Sequence, residues 1–297
     1  MLASVNSLTE DTANMARMEK CKIAGRKLLC LLSILLVSAT FHEAAYSELN
    51  EFSSAANYCL NYRNSTKLSD DRTVLCFDGP IIPDRDTAAF LDLKQGGFFV
   101  TRSPGGYGPL AVELSNTLRE KNATVILYDY CLSACANYFL VASSKTYVLK
   151  NTVVAWHGGP PKIDCSADGM ERLLTYYREY LRGWQLTDGQ LSPDLVCKYS
   201  DLVKAFFMQR GIDDRHIYEP QTAYTKKMVS LVAKGAIDTR RIFWMWHPQN
   251  YRDHFGSKIT YESYPKNQDD VDDIVRRLQT NARLLLGIRV FYDPPRM

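Results

Sequence analysis

Three short runs decide the fold: Phe98-Phe99-Val100-Thr101-Arg102-Ser103-Pro104-Gly105-Gly106, Tyr130-Cys131-Leu132-Ser133-Ala134-Cys135-Ala136-Asn137, and Val153-Val154-Ala155-Trp156-His157-Gly158-Gly159. Each joins an apolar strand-like run to a turn of small or polar residues. Turns at the ends of successive buried strands gather at one edge of a sheet, where α/β proteins place their ligands. A glycine turn, a serine turn and a histidine therefore converge on one rim.

Outward from these runs, strand and helix patterns alternate. Thr73 to Phe77 reads as a strand, Asp84 to Lys94 as a helix, Gly97 to Thr101 as a strand, Tyr107 to Lys121 as a helix and Thr124 to Tyr128 as a buried strand. Ser133 to Ala142 comes next as a helix of small and apolar residues, then strands at Thr146 to Leu149 and Thr152 to Trp156. This alternation predicts parallel strands joined by helical crossovers, and the fold class is α/β. The later part is mainly helical, with helices over Asp168 to Trp184, Pro193 to Arg210, Thr222 to Lys234 and Asp269 to Leu285. Short strands are expected at Phe243 to Trp246, Gly256 to Tyr261 and Arg289 to Tyr292. The polar lead-in Glu48 to Asp71 reads as loop. No linker divides residues 48–297, which are expected to form one domain with a helical C-terminal extension.

With 36 basic and 33 acidic residues the chain has a formal charge of +3, and no basic face of the kind nucleic acids require is expected. Lys20, Lys22, Arg26 and Lys27 precede the apolar run Leu28 to Ala39, which has the length of a signal-peptide core. Residues 1–47 are read as a signal peptide, with an uncleaved N-terminal membrane anchor as the other reading. The chain is thus expected to be periplasmic or secreted, touching the membrane only through that segment. Cysteine usage agrees: Cys59, Cys76, Cys131, Cys135, Cys165 and Cys197 remain beyond it, an even number suited to an oxidising compartment. Sequence order favours Cys59 with Cys76 and Cys165 with Cys197. Cys131 and Cys135 either clamp the turn around Ser133 or lie as two small buried thiols, and Cys-x3-Cys alone makes a weak zinc motif.

Each turn residue has a plain structural reading as well as a chemical one. Ser133 at the start of a helix is an ordinary N-cap, or else a nucleophile on a constrained turn. His157 at a strand end is an ordinary polar residue, or else the base that serves it. Gly105 and Gly106 make a strand-to-helix turn, or expose backbone N–H groups to a developing oxyanion. Lys145, offered as the base of a serine–lysine dyad, reads better as a surface lysine. His247 and His254, with no carboxylate to complete a metal motif, read as surface histidines.

The order and spacing of these residues give the segment a further meaning. It resembles the proteolytic subunit of Clp proteases, and more broadly the Clp/crotonase superfamily that includes signal peptide peptidase A. The nearer resemblance is to exported members with a Cys-x-Ser-Ala-Cys turn, matched by Cys131-Leu132-Ser133-Ala134-Cys135. It covers Thr73 to about Gly159. The resemblance implies a fold of repeated β-β-α units, with Ser133 as nucleophile, His157 as base, and Gly105, Gly106 and Ala134 as the oxyanion hole. It also implies a peptide or protein substrate, no cofactor, no metal and a homo-oligomer. The family's acid has no direct counterpart where Phe243-Trp244-Met245 stands, so Asp238 is assigned to that role, with Asp213 and Asp214 as substitutes. A non-catalytic binding or scaffold protein that retains the fold is the competing class.

Overall fold

The computed structural model describes residues 50–157, 164–172, 193–213, 241–247, 249–250, 255, 259–282 and 285–293. The expected signal segment, Asp238, Asp214, His254 and the helix expected over Thr222 to Lys234 lie outside the described residues. The chain divides into two compact units, residues 1–58 and 59–297. Where it is described, the first is helical, with Phe52, Ala55 and Ala56 buried.

The second unit is α/β. Its main sheet begins with β1 (Thr66–Leu68) and β2 (Val74–Asp78), which pair antiparallel. After the short helix α1 (Ala88–Asp92) comes β3 (Phe98–Ser103), parallel to β2. Helix α2 (Gly108–Glu120) leads to the nine-residue β4 (Thr124–Leu132), parallel to β3. Pro109 stands in the first turn of α2, where the missing N–H costs nothing. Helix α3 (Ala134–Tyr138) and a 3₁₀ turn, Phe139–Val141, return the chain to β5 (Lys145–Val148), which also runs parallel to β4.

β4 then takes a second partner. Its register against β3 jumps from Thr101↔Leu127 to Ser103↔Cys131, so β4 carries a bulge over Tyr128, Asp129 and Tyr130. Asp129 sits there at φ 55°. Before the bulge β4 pairs with β5; beyond it, Tyr130, Cys131 and Leu132 pair parallel with β6 (Val153–Ala155). After α4 (Pro193–Met208) and β7 (Ile242–Trp246), β8 (Ile259–Tyr261) adds to the outer side of β5. Helix α5 (Gln268–Asn281) precedes β9 (Arg289–Asp293), which pairs parallel with β7 in a small second sheet. Asn267 caps α5 by accepting from the Asp270 N–H at 2.9 Å.

The strands read as continuous apolar runs because both faces are covered. Val125, Leu127 and Cys131 join a core that includes Phe77, Phe99 and Phe139 of the sheet side together with Leu114, Leu118 and the α4 residues Phe206 and Phe207. Tyr130 and Leu132 face instead a second cluster with Val153, Ala155, Met245, Val271 and Ile274. Phe99 and Phe139 meet edge-to-face at 5.1 Å, a geometry worth about 0.5–1.5 kcal/mol beyond area burial.

Arg210 joins the layers from below. It is 4% exposed and donates to the carbonyls of Val141, Phe206, Ser115 and Ala142 at 3.0–3.2 Å, its guanidinium 3.5 Å above the Phe206 ring. Burial first, and Arg119 second, push its pKa down to about 9. The loop expected over Glu48 to Asp71 is in fact helical at residues 50–59 and contributes β1. The α1 helix is shorter than the expected Asp84 to Lys94. Arg85 is drawn out of it to bond Thr66, Pro80 and Asp78 over the Phe77 ring.

Candidate active site

β4 delivers Ser133 to the rim and β6 delivers His157 beside it. The Ser133 N–H donates to Ala155 O at 3.0 Å, which fixes the serine two residues before His157 on the neighbouring strand. Ser133 adopts φ 56° and ψ −123°, the left-handed side of the map that a side-chain-bearing residue reaches only under constraint. Its side chain does not cap α3. Ser133 Oγ instead lies 2.6 Å from His157 Nε2, within hydrogen-bond reach of a nucleophile and its base.

His157 is seated by a bridge at the end of β6. Trp156 and Trp244 exchange two backbone hydrogen bonds, N to O at 2.8 and 2.5 Å, in an antiparallel pairing that joins β6 to β7. The His157 ring then meets the Phe243 ring edge-on at 5.4 Å. The imidazole is half-buried.

The glycine turn closes on this pair from β3. Gly105 is at φ +90°, and a β-carbon there would stand 2.5 Å from Leu132 O, 2.6 Å from Ser133 Cβ and 2.8 Å from Ala134 N. Only glycine lets the loop lie against the serine turn. Gly105 gives its own N–H to Ser103 Oγ at 3.1 Å and its carbonyl to Ile81 N at 2.9 Å. Gly106, at φ +139°, is packed so closely on Ile81 that a β-carbon would meet Ile81 O at 2.2 Å. The N–H groups of Gly106 and Ala134 donate to no backbone acceptor among the described residues. Ala134 is the first residue of α3, whose leading N–H groups have no partner within the helix.

Beneath the turns, a buried charge cluster fastens β3 to β4. Arg102 Nε donates to Asp78 Oδ2 at 2.7 Å and Nη1 to Asp129 Oδ2 at 2.6 Å. Burial disfavours the cation, but Tyr128, Asp129 and Asp78 outweigh it and the pKa of Arg102 is raised. Burial pushes the Tyr130 phenol up to about 12 and raises that of Tyr128 as well, so both stay protonated. The sequence signal for this cluster was the charged Arg102 inside an apolar run directly ahead of Ser103-Pro104-Gly105-Gly106. Nothing in the spacing of Asp78 and Asp129 pointed to it.

Cys131 and Cys135 are joined as a disulfide across Ser133, which disposes of both the free-thiol and the zinc readings. Cys59–Cys76 and Cys165–Cys197 are paired as well. Lys145 pairs in register with Thr124, at the opposite end of β4 from Ser133, and is exposed. Asp213 stands three residues after Arg210, which bonds the chain just ahead of β5 at that same far end. Asp238 lies outside the described residues. Among the described residues, no group of three His, Cys, Asp or Glu gathers as a metal site, and no helix is long and apolar enough to cross a membrane.

No protein-family model matches the chain, and no curated protein matches it. A hydroxyl, an imidazole and two N–H groups that donate to no backbone acceptor among the described residues surround a strained turn, an arrangement of the kind acyl transfer requires. The three disulfides are compatible with an extracellular or periplasmic location.

Proposed function

We propose that this chain is an exported serine hydrolase, a peptidase of the Clp/crotonase type. The observation that carries the reading is the 2.6 Å approach of Ser133 Oγ to His157 Nε2, made by a serine that is strained and does not cap its own helix. In this scheme Ser133 attacks an acyl carbon as His157 takes its proton. The tetrahedral oxyanion is held by the N–H groups of Gly106 and Ala134, each such donor being worth about 2.7–4 kcal/mol of barrier. Gly105 contributes the close approach that brings the loop to the serine. His157 then returns the proton to the leaving group.

Asp238 is the acid assigned to orient His157. It precedes β7 by four residues, and the first residues of β7, through Phe243, lie against the His157 ring. The export signal in residues 1–47 puts the enzyme in the periplasm or outside the cell. By the same family resemblance the substrate is a peptide or protein and the assembly a homo-oligomer.

The test is a fluorophosphonate probe applied to the mature protein and to Ser133→Ala, read by intact mass. One adduct on the native chain and none on the variant is the expected result. Labelling should fall as the pH is lowered and His157 is protonated, because the base must be neutral to accept the serine proton. No adduct on folded, oxidised protein would refute the hydrolase and leave the binding or scaffold class.

A further inference from the structure

We infer that the Cys131–Cys135 disulfide is a positioning element for the nucleophile, holding Ser133 in its reactive conformation. The inference rests on the reading of Ser133 as the nucleophile. The bond links the end of β4 to the second residue of α3, with Ser133 midway between its two cysteines. Closing so short a ring, with Cα atoms 5.2 Å apart, leaves Leu132, Ser133 and Ala134 to make the whole strand-to-helix reversal. Of the three, Ser133 is the residue at positive φ.

The other restraints at the turn are the glycine loop packed against it, a short helix and two backbone bonds. α3 spans five residues, too short to hold its own first turn by helix propagation. The Ser133 N–H and C=O are tied to Ala155 and Asn137, and these bonds fix the peptide planes without forcing Oγ toward His157. Loop closure does not account for the disulfide's presence. The three bonds close loops of 4, 17 and 32 positions, and stabilisation by loop closure is smallest for the shortest. The bond with the least to offer overall stability is the one that brackets the serine. Both sulfurs are in the core, with Cys131 and Cys135 fully buried, so the clamp is shielded and yields to a reductant more slowly than an exposed bond would.

Opening the ring lets Ser133 relax to ordinary backbone angles. A relaxation of about 1.4 kcal/mol already lowers the reactive population tenfold. The experiment compares the rate constant of fluorophosphonate labelling, per folded molecule, in the native chain, in Cys131→Ala/Cys135→Ala and in Cys59→Ala/Cys76→Ala. Expected is a fall of about tenfold or more in the first variant only, with the pH profile of labelling unchanged in shape. The control loses a bond of longer loop yet keeps the native rate. Equal rates in all three proteins overturn the positioning role while leaving the nucleophile intact. An unlabelled native chain overturns the nucleophile itself, and the positioning role with it.

Should the double variant fail to fold, native protein is titrated with a water-soluble phosphine, which becomes the phosphine oxide as each disulfide gains two electrons and two protons. Differential alkylation then gives the fraction of molecules opened at Cys131–Cys135. Loss of labelling that tracks this fraction supports the clamp; full labelling of opened molecules overturns it.

Discussion

Gly105→Ala probes the contact on which the site depends. The added methyl carbon would stand 2.5, 2.6 and 2.8 Å from Leu132 O, Ser133 Cβ and Ala134 N. None of these is the flexible end of a long side chain. To restore contacts near 3.5 Å, the glycine loop and the serine turn must separate by roughly 1 Å. The φ of +90° adds a backbone cost of about 1–3 kcal/mol, and overpacking a further 1–3 kcal/mol. The expected loss of stability is therefore about 2–6 kcal/mol, measured by urea unfolding. A misplacement of about 1 Å costs on the order of 100-fold in rate, so labelling per folded molecule should fall by about that factor. Gly211→Ala is the matched control: it has φ +60° and nothing within 4 Å of an added β-carbon. It should lose only about 1 kcal/mol and label normally. If Gly105→Ala labels at the native rate per folded molecule, the loop does not abut the nucleophile and the oxyanion assignment fails.

Three further outcomes are expected from the packing. Arg102→Met takes from Asp78, whose side chain is 4% exposed, its hydrogen-bonded partner and leaves only the longer-range attraction of Arg85; it should cost about 3 kcal/mol by denaturant unfolding. Asp129→Asn, on the more exposed arm of the same cluster, should cost about 1 kcal/mol or less. Arg210→Met strips donors from four carbonyls and should cost at least about 3 kcal/mol. Arg210→Lys should fail to restore it, because one ammonium cannot reproduce the fork. Removing the disulfides one at a time should cost about 3.7 kcal/mol for Cys165–Cys197, about 3.2 for Cys59–Cys76 and about 2 for Cys131–Cys135. Differential scanning calorimetry would show that order, the reverse of their expected influence on Ser133.

The α/β class was legible because β2, β3, β4 and β5 are apolar runs separated by helical patterns, and each run recurs in the structure within a few residues of its expected place. Sequence order favoured Cys59 with Cys76 and Cys165 with Cys197 without deciding among the connectivities of six cysteines, and the structure has both bonds. The lower half of β4 was not legible. Tyr128-Asp129-Tyr130 has the look of a strand end, since aspartate there suggests a turn. The carboxylate is retained because Arg102, on a neighbouring strand, binds it. Sequence periodicity carries no information about such a cross-strand partner. Taken by itself Ser133 read more readily as a cap than as a nucleophile, yet its hydroxyl makes no cap bond and lies 2.6 Å from His157 Nε2. Ser103 was unremarkable in sequence, yet its hydroxyl takes the Gly105 N–H.

The bridge between Trp156 and Trp244 sets the moment at which the site comes into being. It joins residues 88 positions apart, whereas the β2–β3, β3–β4 and β4–β5 pairs join strands close together in the chain. Contacts of such separation form late, after the local sheet has collapsed. A polypeptide emerging N-terminus first displays Ser133 and His157 well before Trp244 arrives to seat the histidine strand. On the reading proposed for Ser133, the growing chain passes through synthesis with its nucleophile unarmed, and reactivity is acquired only when most of the protein is complete.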